Sequence, residues 1–150
     1  IGIYDVNHEG SGDMYYKGSN ILHTLRQVVN DDDKWRAILR GLNSEFYHKT
    51  VTTDQIEHYI SMQMKRDLRP FFNQYLRTTK IPVFEYSIKG KKLLYRYSNT
   101  VEGFTIPLRV LIEDKPVWLE PTITWQTQKI KGNLKTITID PNFYIDSKLN

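Results

Sequence analysis

The stretch Asp13-Met14-Tyr15-Tyr16-Lys17-Gly18-Ser19-Asn20-Ile21-Leu22-His23-Thr24-Leu25-Arg26-Gln27-Val28-Val29 decides how the rest of this chain is read. Tyr15, Gly18, Leu22, Leu25 and Val29 recur at spacings of three and four, which places them on one side of a 3.6-residue helix. Tyr16, Asn20, His23 and Gln27 form a second, polar stripe. Asp13 follows Gly10 and Gly12 and is the expected N-cap, because its carboxylate accepts from the unpaired N–H groups of the first turn. The only polar tip on the apolar stripe is then the Tyr15 hydroxyl, in the first turn, where the helix dipole favours nearby negative charge.

Working outward, residues 1 to 12 mix Ile3, Tyr4 and Val6 with Asn7, His8, Glu9 and three glycines and read as a loop. No strand long enough to support a phosphate-binding reading of those glycines precedes them. On the other side, Asn30-Asp31-Asp32-Asp33 is turn chemistry that caps a second helix, with Trp35, Ile38, Leu39, Leu42 and Phe46 on one face. A calcium loop is excluded, because Trp35 and Ala37 fall where ligands should continue. Thr52 and Gln55 have capping-box spacing for a third helix through Ile56, Tyr59, Ile60 and Met64. A fourth opens near Asp67, accepts Pro70 in its first turn, and should bury Leu68, Phe71, Phe72, Tyr75 and Leu76. Four helices with short links imply a compact helical array.

The period changes at about Lys80. Phe84, Tyr86 and Ile88 alternate with Val83, Glu85 and Ser87, and Lys89-Gly90 turns the chain into a strand from Leu93 to Ser98. Phe104, Ile106, Leu108, Val110 and Ile112 alternate again, with Pro107 pointing to an edge or bulge. Val117 to Leu119, Ile123 to Trp125 and Leu134 to Ile139 complete the series. Short strands at this spacing suggest a sandwich. The fold class is therefore α+β, with residues 1–80 helical and residues 81–150 in strands.

Composition narrows the partners. The 39% hydrophobic and 25% charged residues are ordinary globular values, with no signal for disorder. The absence of cysteine removes thiol catalysis and cysteine-ligated zinc but leaves the compartment open, cytoplasmic and envelope or secreted alike. The net charge of +4 is spread over 21 basic residues, so no nucleic-acid partner is expected, and no run of apolar residues is long enough for a membrane span.

Tyr15-Tyr16-Lys17-Gly18, followed by Leu22, Leu25 and Arg26, resembles the Tyr-x-Lys-Gly helix of the M1 family of zinc aminopeptidases. The segments Trp35 to Leu42, Thr50 to Thr53, and Asp67 to Leu76 with Phe71-Phe72 look like the helices that follow in that family. The resemblance covers residues 10 to 80 and implies the end of a thermolysin-like catalytic domain followed by an immunoglobulin-like β-sandwich. It implies an enzyme that removes N-terminal residues from peptide substrates. Zinc in that family is held by a His-Glu-x-x-His helix and a glutamate from the next helix, and neither is in this chain. His8-Glu9 begins like the motif, but Gly12 stands where its second histidine should be. The resemblance thus implies Zn2+ ligands outside these 150 residues and no activity for the chain alone.

Carried to the matching position, the family's transition-state tyrosine is Tyr15. A phenol, with an ordinary pKa of about 10, is a neutral donor at pH 7, the form that stabilises an oxyanion. Gly18 is expected to permit close helix packing and Lys17 to pair with a carboxylate outside the chain, while Tyr16 lines solvent or a neighbouring domain. His23, His48 and His58 are too scattered for a ligand set, and Trp118 and Trp125 are expected in the core. Helices that cover the apolar stripe in the family are missing, so the exposed helical face should promote self-association. The competing reading is a non-catalytic scaffold or interaction module of the same architecture.

Overall fold

The computed structural model describes residues 12–130 and 136–150. The loop reading of residues 1 to 11, with His8-Glu9, and the expected strand start at Leu134 lie outside the described residues. Four helices come first: α1 (Asp13–Val29), α2 (Asp32–Glu45), α3 (Thr53–Met64) and α4 (Arg69–Arg77). Seven strands follow: β1 (Val83–Lys89), β2 (Lys92–Ser98), β3 (Leu108–Ile112), β4 (Lys115–Leu119), β5 (Gln126–Lys129), β6 (Ile137–Ile139) and β7 (Asp146–Leu149). The expected α+β class is what is found.

Local chemistry sets the helix ends. Gly12, not Asp13, occupies the N-cap of α1, and Asp13 is its first helical residue. The helix stops at Asn30, whose left-handed φ of 51° directs its N–H to the Arg26 carbonyl at 3.1 Å, the αL termination that asparagine tolerates. Asp31 caps α2 by accepting from the Lys34 N–H at 2.9 Å, and Asp32 takes two hydrogen bonds from Arg26. These roles account for the acidic run. The capping box of α3 is complete, with Thr52 accepting from the Gln55 N–H and Gln55 accepting from the Thr52 N–H at 2.9 Å. Pro70 sits in the first turn of α4.

The strands form a four-stranded sheet in the order β5-β2-β1-β7 and a three-stranded sheet in the order β4-β3-β6. Phe84, Leu93 and Tyr97 from the first and Leu108, Val110 and Ile112 from the second enter one core with Phe71 and Tyr75 of α4. Tyr75 joins the helices to the strands. Its ring meets Phe104 and Tyr144, and its hydroxyl donates to the Tyr144 carbonyl at 2.7 Å.

Further expectations need correction. Phe104 and Ile106 are buried and keep the alternation, but they precede β3, which begins only after Pro107, a residue with no N–H to give a ladder. Ile123 to Trp125 is not a strand. Thr124 N–H bonds the Thr122 hydroxyl and Gln126 receives the Thr122 N–H, local bonds that compete with a ladder. Trp118 and Trp125 are 38% and 44% exposed, not core, and each carries an arginine over its ring, Arg109 and Arg96 respectively. Strand β7 was not expected at all, and it pairs in parallel with β1.

Candidate functional site

Among the described residues, helix α1 is held from one side. Ile21, Thr24 and Leu25 are buried, four, seven and eight residues on from Lys17, whose ammonium donates to the Thr78 carbonyl at 2.9 Å. The Thr24 hydroxyl accepts from the Tyr144 N–H at 3.0 Å. Further along, Gln27 accepts from Arg109 at 3.0 Å, and His23 bonds the Asn142 side chain at 2.9 Å. The helix thus bridges α4, the 140–145 segment and β3. Lys17 finds a partner inside the chain, the Thr78 carbonyl.

The opposite side of α1 is open. Tyr15 is 72% exposed and Leu22, two turns on, is 46% exposed. The expected apolar stripe therefore divides: Leu25 faces the core, whereas Tyr15 and Leu22 face outward. A Cβ built on Gly18 meets nothing within 4 Å, so this glycine permits no close packing among the described residues. Tyr16 is 77% exposed, as expected of a residue facing solvent.

Tyr15 therefore presents an accessible phenol in the first turn of a helix fixed by long-range bonds. The contrast with other tyrosines is chemical. Tyr75 and Tyr97 are buried, burial pushes both phenols up, and both donate to carbonyls, of Tyr144 and Ile106. They are structural groups. Tyr15 alone among these three can meet a ligand.

Beneath α1 lies a polar network. Arg109 pairs with Asp140 and donates to Gln27, while the Asn142 amide donates to Asp140 and its oxygen bonds His23 Nε2. Burial alone would raise the Asp140 carboxyl, but the Asn142 backbone, the Arg109 guanidinium and the Asn142 amide hold it below the ordinary aspartate range. This network ties the helix to the second sheet. Sequence reasoning missed it because its members are scattered polar residues with no common spacing.

Two further hollows exist. The larger, about 770 Å³, is an open groove along α3 lined by Glu57, His58, Lys65, Arg66 and Asp67 among others, but its acids are already engaged by Arg77 and Arg69. The smaller, about 210 Å³, lies beside Arg26, Asp32 and Trp35. Among the described residues no group of three or more histidine, aspartate, glutamate or cysteine side chains could hold a metal ion, and no described helix is long and apolar enough to cross a membrane. Zinc does not fit the residues described.

No protein-family model matches the chain, and no curated protein matches it. Among solved structures it is similar to Legionella pneumophila aminopeptidase A, crystallised in complex with aspartic acid, with a TM-score of 0.64 at 14% sequence identity. The likeness covers 89% of this chain and 17% of the Legionella chain. This chain has an aminopeptidase-like fold and spans less than a fifth of that enzyme's length.

Proposed function

We propose that this chain is the closing part of an M1-like zinc aminopeptidase: residues 1–80 as the last helices of a thermolysin-like catalytic domain and residues 81–150 as an immunoglobulin-like β-sandwich. In this reading the zinc ligands and the general base come from chain outside the 150 residues, and the 150 residues alone do not hydrolyse peptides. The contribution made here is Tyr15. An oxyanion donor must be protonated, accessible to substrate and carried by an element that does not move as charge develops. Exposure of Tyr15 on a helix anchored through Lys17, Thr24 and Gln27 is the observation that supports the assignment.

The phenol would donate to the carbonyl oxygen of the scissile peptide as that oxygen becomes negative. Removing one such donor raises the barrier by about 2.7–4 kcal/mol, a loss of roughly 10²–10³ in kcat. The test uses the longer natural protein that carries this segment, assayed with zinc on a panel of aminoacyl chromogenic substrates. Tyr15→Phe should lower kcat by that factor with the fold intact. A folded, zinc-loaded wild type with no hydrolysis of any member would replace the enzyme reading with the scaffold reading.

A further inference from the structure

We infer that the lysine-rich end of the four-stranded sheet is a docking surface for an anionic phospholipid membrane. Pairing places Lys89 opposite Lys92, and Lys92 opposite Lys129. Three ammonium-bearing residues thus lie in one row across β1, β2 and β5, on neighbouring strands about 4.8 Å apart. Lys91 adds a fourth in the two-residue turn, where Gly90 at φ 60° takes the position that requires left-handed geometry. Sequence separation hides this row, since Lys129 is brought to the hairpin only by the β2–β5 ladder.

The row is unfavourable for the chain by itself. Like charges directly opposite one another on a sheet destabilise it, and among the described residues none of the four lysines has an acid within salt-bridge range. The only acidic residue in β1, β2 and β5 is Glu85, which is occupied by Arg96 at 2.8 Å and held by that hydrogen bond below the ordinary carboxylate range. The unmatched charge calls for an anion from outside.

The form of the patch favours a membrane over other polyanions. Lysine is a hydrated point charge without the planar fork that reads single phosphates or carboxylates. Each basic residue near an anionic leaflet adds about 1 kcal/mol of attraction, and four stand together here. Nucleic acid would call for exposed aromatic faces among the charges; Tyr95 beside the row is buried, and Trp125, four residues before Lys129, already holds Arg96 over its ring at 4.8 Å.

The probe is vesicle co-sedimentation of the chain with phosphatidylcholine alone or with phosphatidylserine added, at low and high salt. Binding should require phosphatidylserine and weaken with salt. The triple variant Lys89→Glu, Lys92→Glu, Lys129→Glu should bind on the order of a hundredfold more weakly, whereas Lys34→Glu, Lys65→Glu, Lys115→Glu, of equal net charge, should stay near wild type. Lys92→Glu alone, flanked by two lysines, should bind about tenfold more weakly yet melt at a higher temperature, a pairing of effects that misfolding does not produce. Equal losses in both triples would overturn the inference. So would a wild type that ignores phosphatidylserine vesicles, including one that instead retains polyglutamate or a single-stranded oligonucleotide.

Discussion

Tyr15 and Tyr75 place the same side chain in opposite surroundings, and substitution separates their roles. The Tyr75 hydroxyl is buried and donates to the Tyr144 carbonyl, so Tyr75→Phe should lower unfolding free energy by about 1 kcal/mol, read by urea denaturation. Tyr15→Phe should leave stability within about 0.5 kcal/mol, as expected at an exposed position. The two glycines of the helices also differ. Gly18 has open space where a Cβ would stand, so Gly18→Ala should stabilise this chain by roughly 0.5–1 kcal/mol through helix propensity. At Gly41 the same atom would run into the Tyr59 hydroxyl, and Gly41→Val should cost about 1–3 kcal/mol through overpacking. Thermal melts of the two variants should therefore move in opposite directions.

At the level of elements, the helices were the most legible. Their caps are written in short-range chemistry: Asp31, Thr52 with Gln55, and Pro70 each act within a few residues of their place in the chain. Thr52→Ala should accordingly destabilise by about 1 kcal/mol, measurable as a shift in denaturation midpoint. What sequence could not give was orientation. Helix α1 has apolar residues on more than one side, and only the packing decides that Ile21 and Leu25 turn inward while Leu22 turns outward. Gln74 is the sharpest case, fully buried where Leu76 was expected. Its amide donates to the Lys80 and Asn99 carbonyls and accepts from the Val101 N–H, a satisfaction of partners from distant segments that no local pattern records. Strand β7 was hidden for a similar reason. Asp146 to Leu149 is exposed throughout, so it carries no alternation, and its identity as a strand comes from the backbone of β1.

For the whole molecule, stability rests on charge as well as on packing. Asp140 and Glu85 are both held below their ordinary pKa, Asp140 by hydrogen bonds that outweigh its burial and Glu85 chiefly by its hydrogen bond from Arg96. Groups lowered on folding contribute stability that is present above the unfolded pKa of about 4 and is lost as pH falls through the lower folded value. Denaturation curves taken from pH 7 down to pH 3 should show that loss, and Asp140→Ala should reduce stability at pH 7 by about 2 kcal/mol while flattening the acid slope. The fold class followed from the change of hydrophobic period near Lys80, and the chain shares its fold with part of an aminopeptidase. The catalytic role of Tyr15 is the central claim, and kinetics test it most directly. In the longer natural protein, supplied with zinc, aminoacyl-substrate hydrolysis should fall by roughly 10²–10³ in kcat on Tyr15→Phe, with KM little changed and the melting temperature unmoved. Full activity in that variant, or a folded zinc-loaded wild type that hydrolyses nothing, would contradict it.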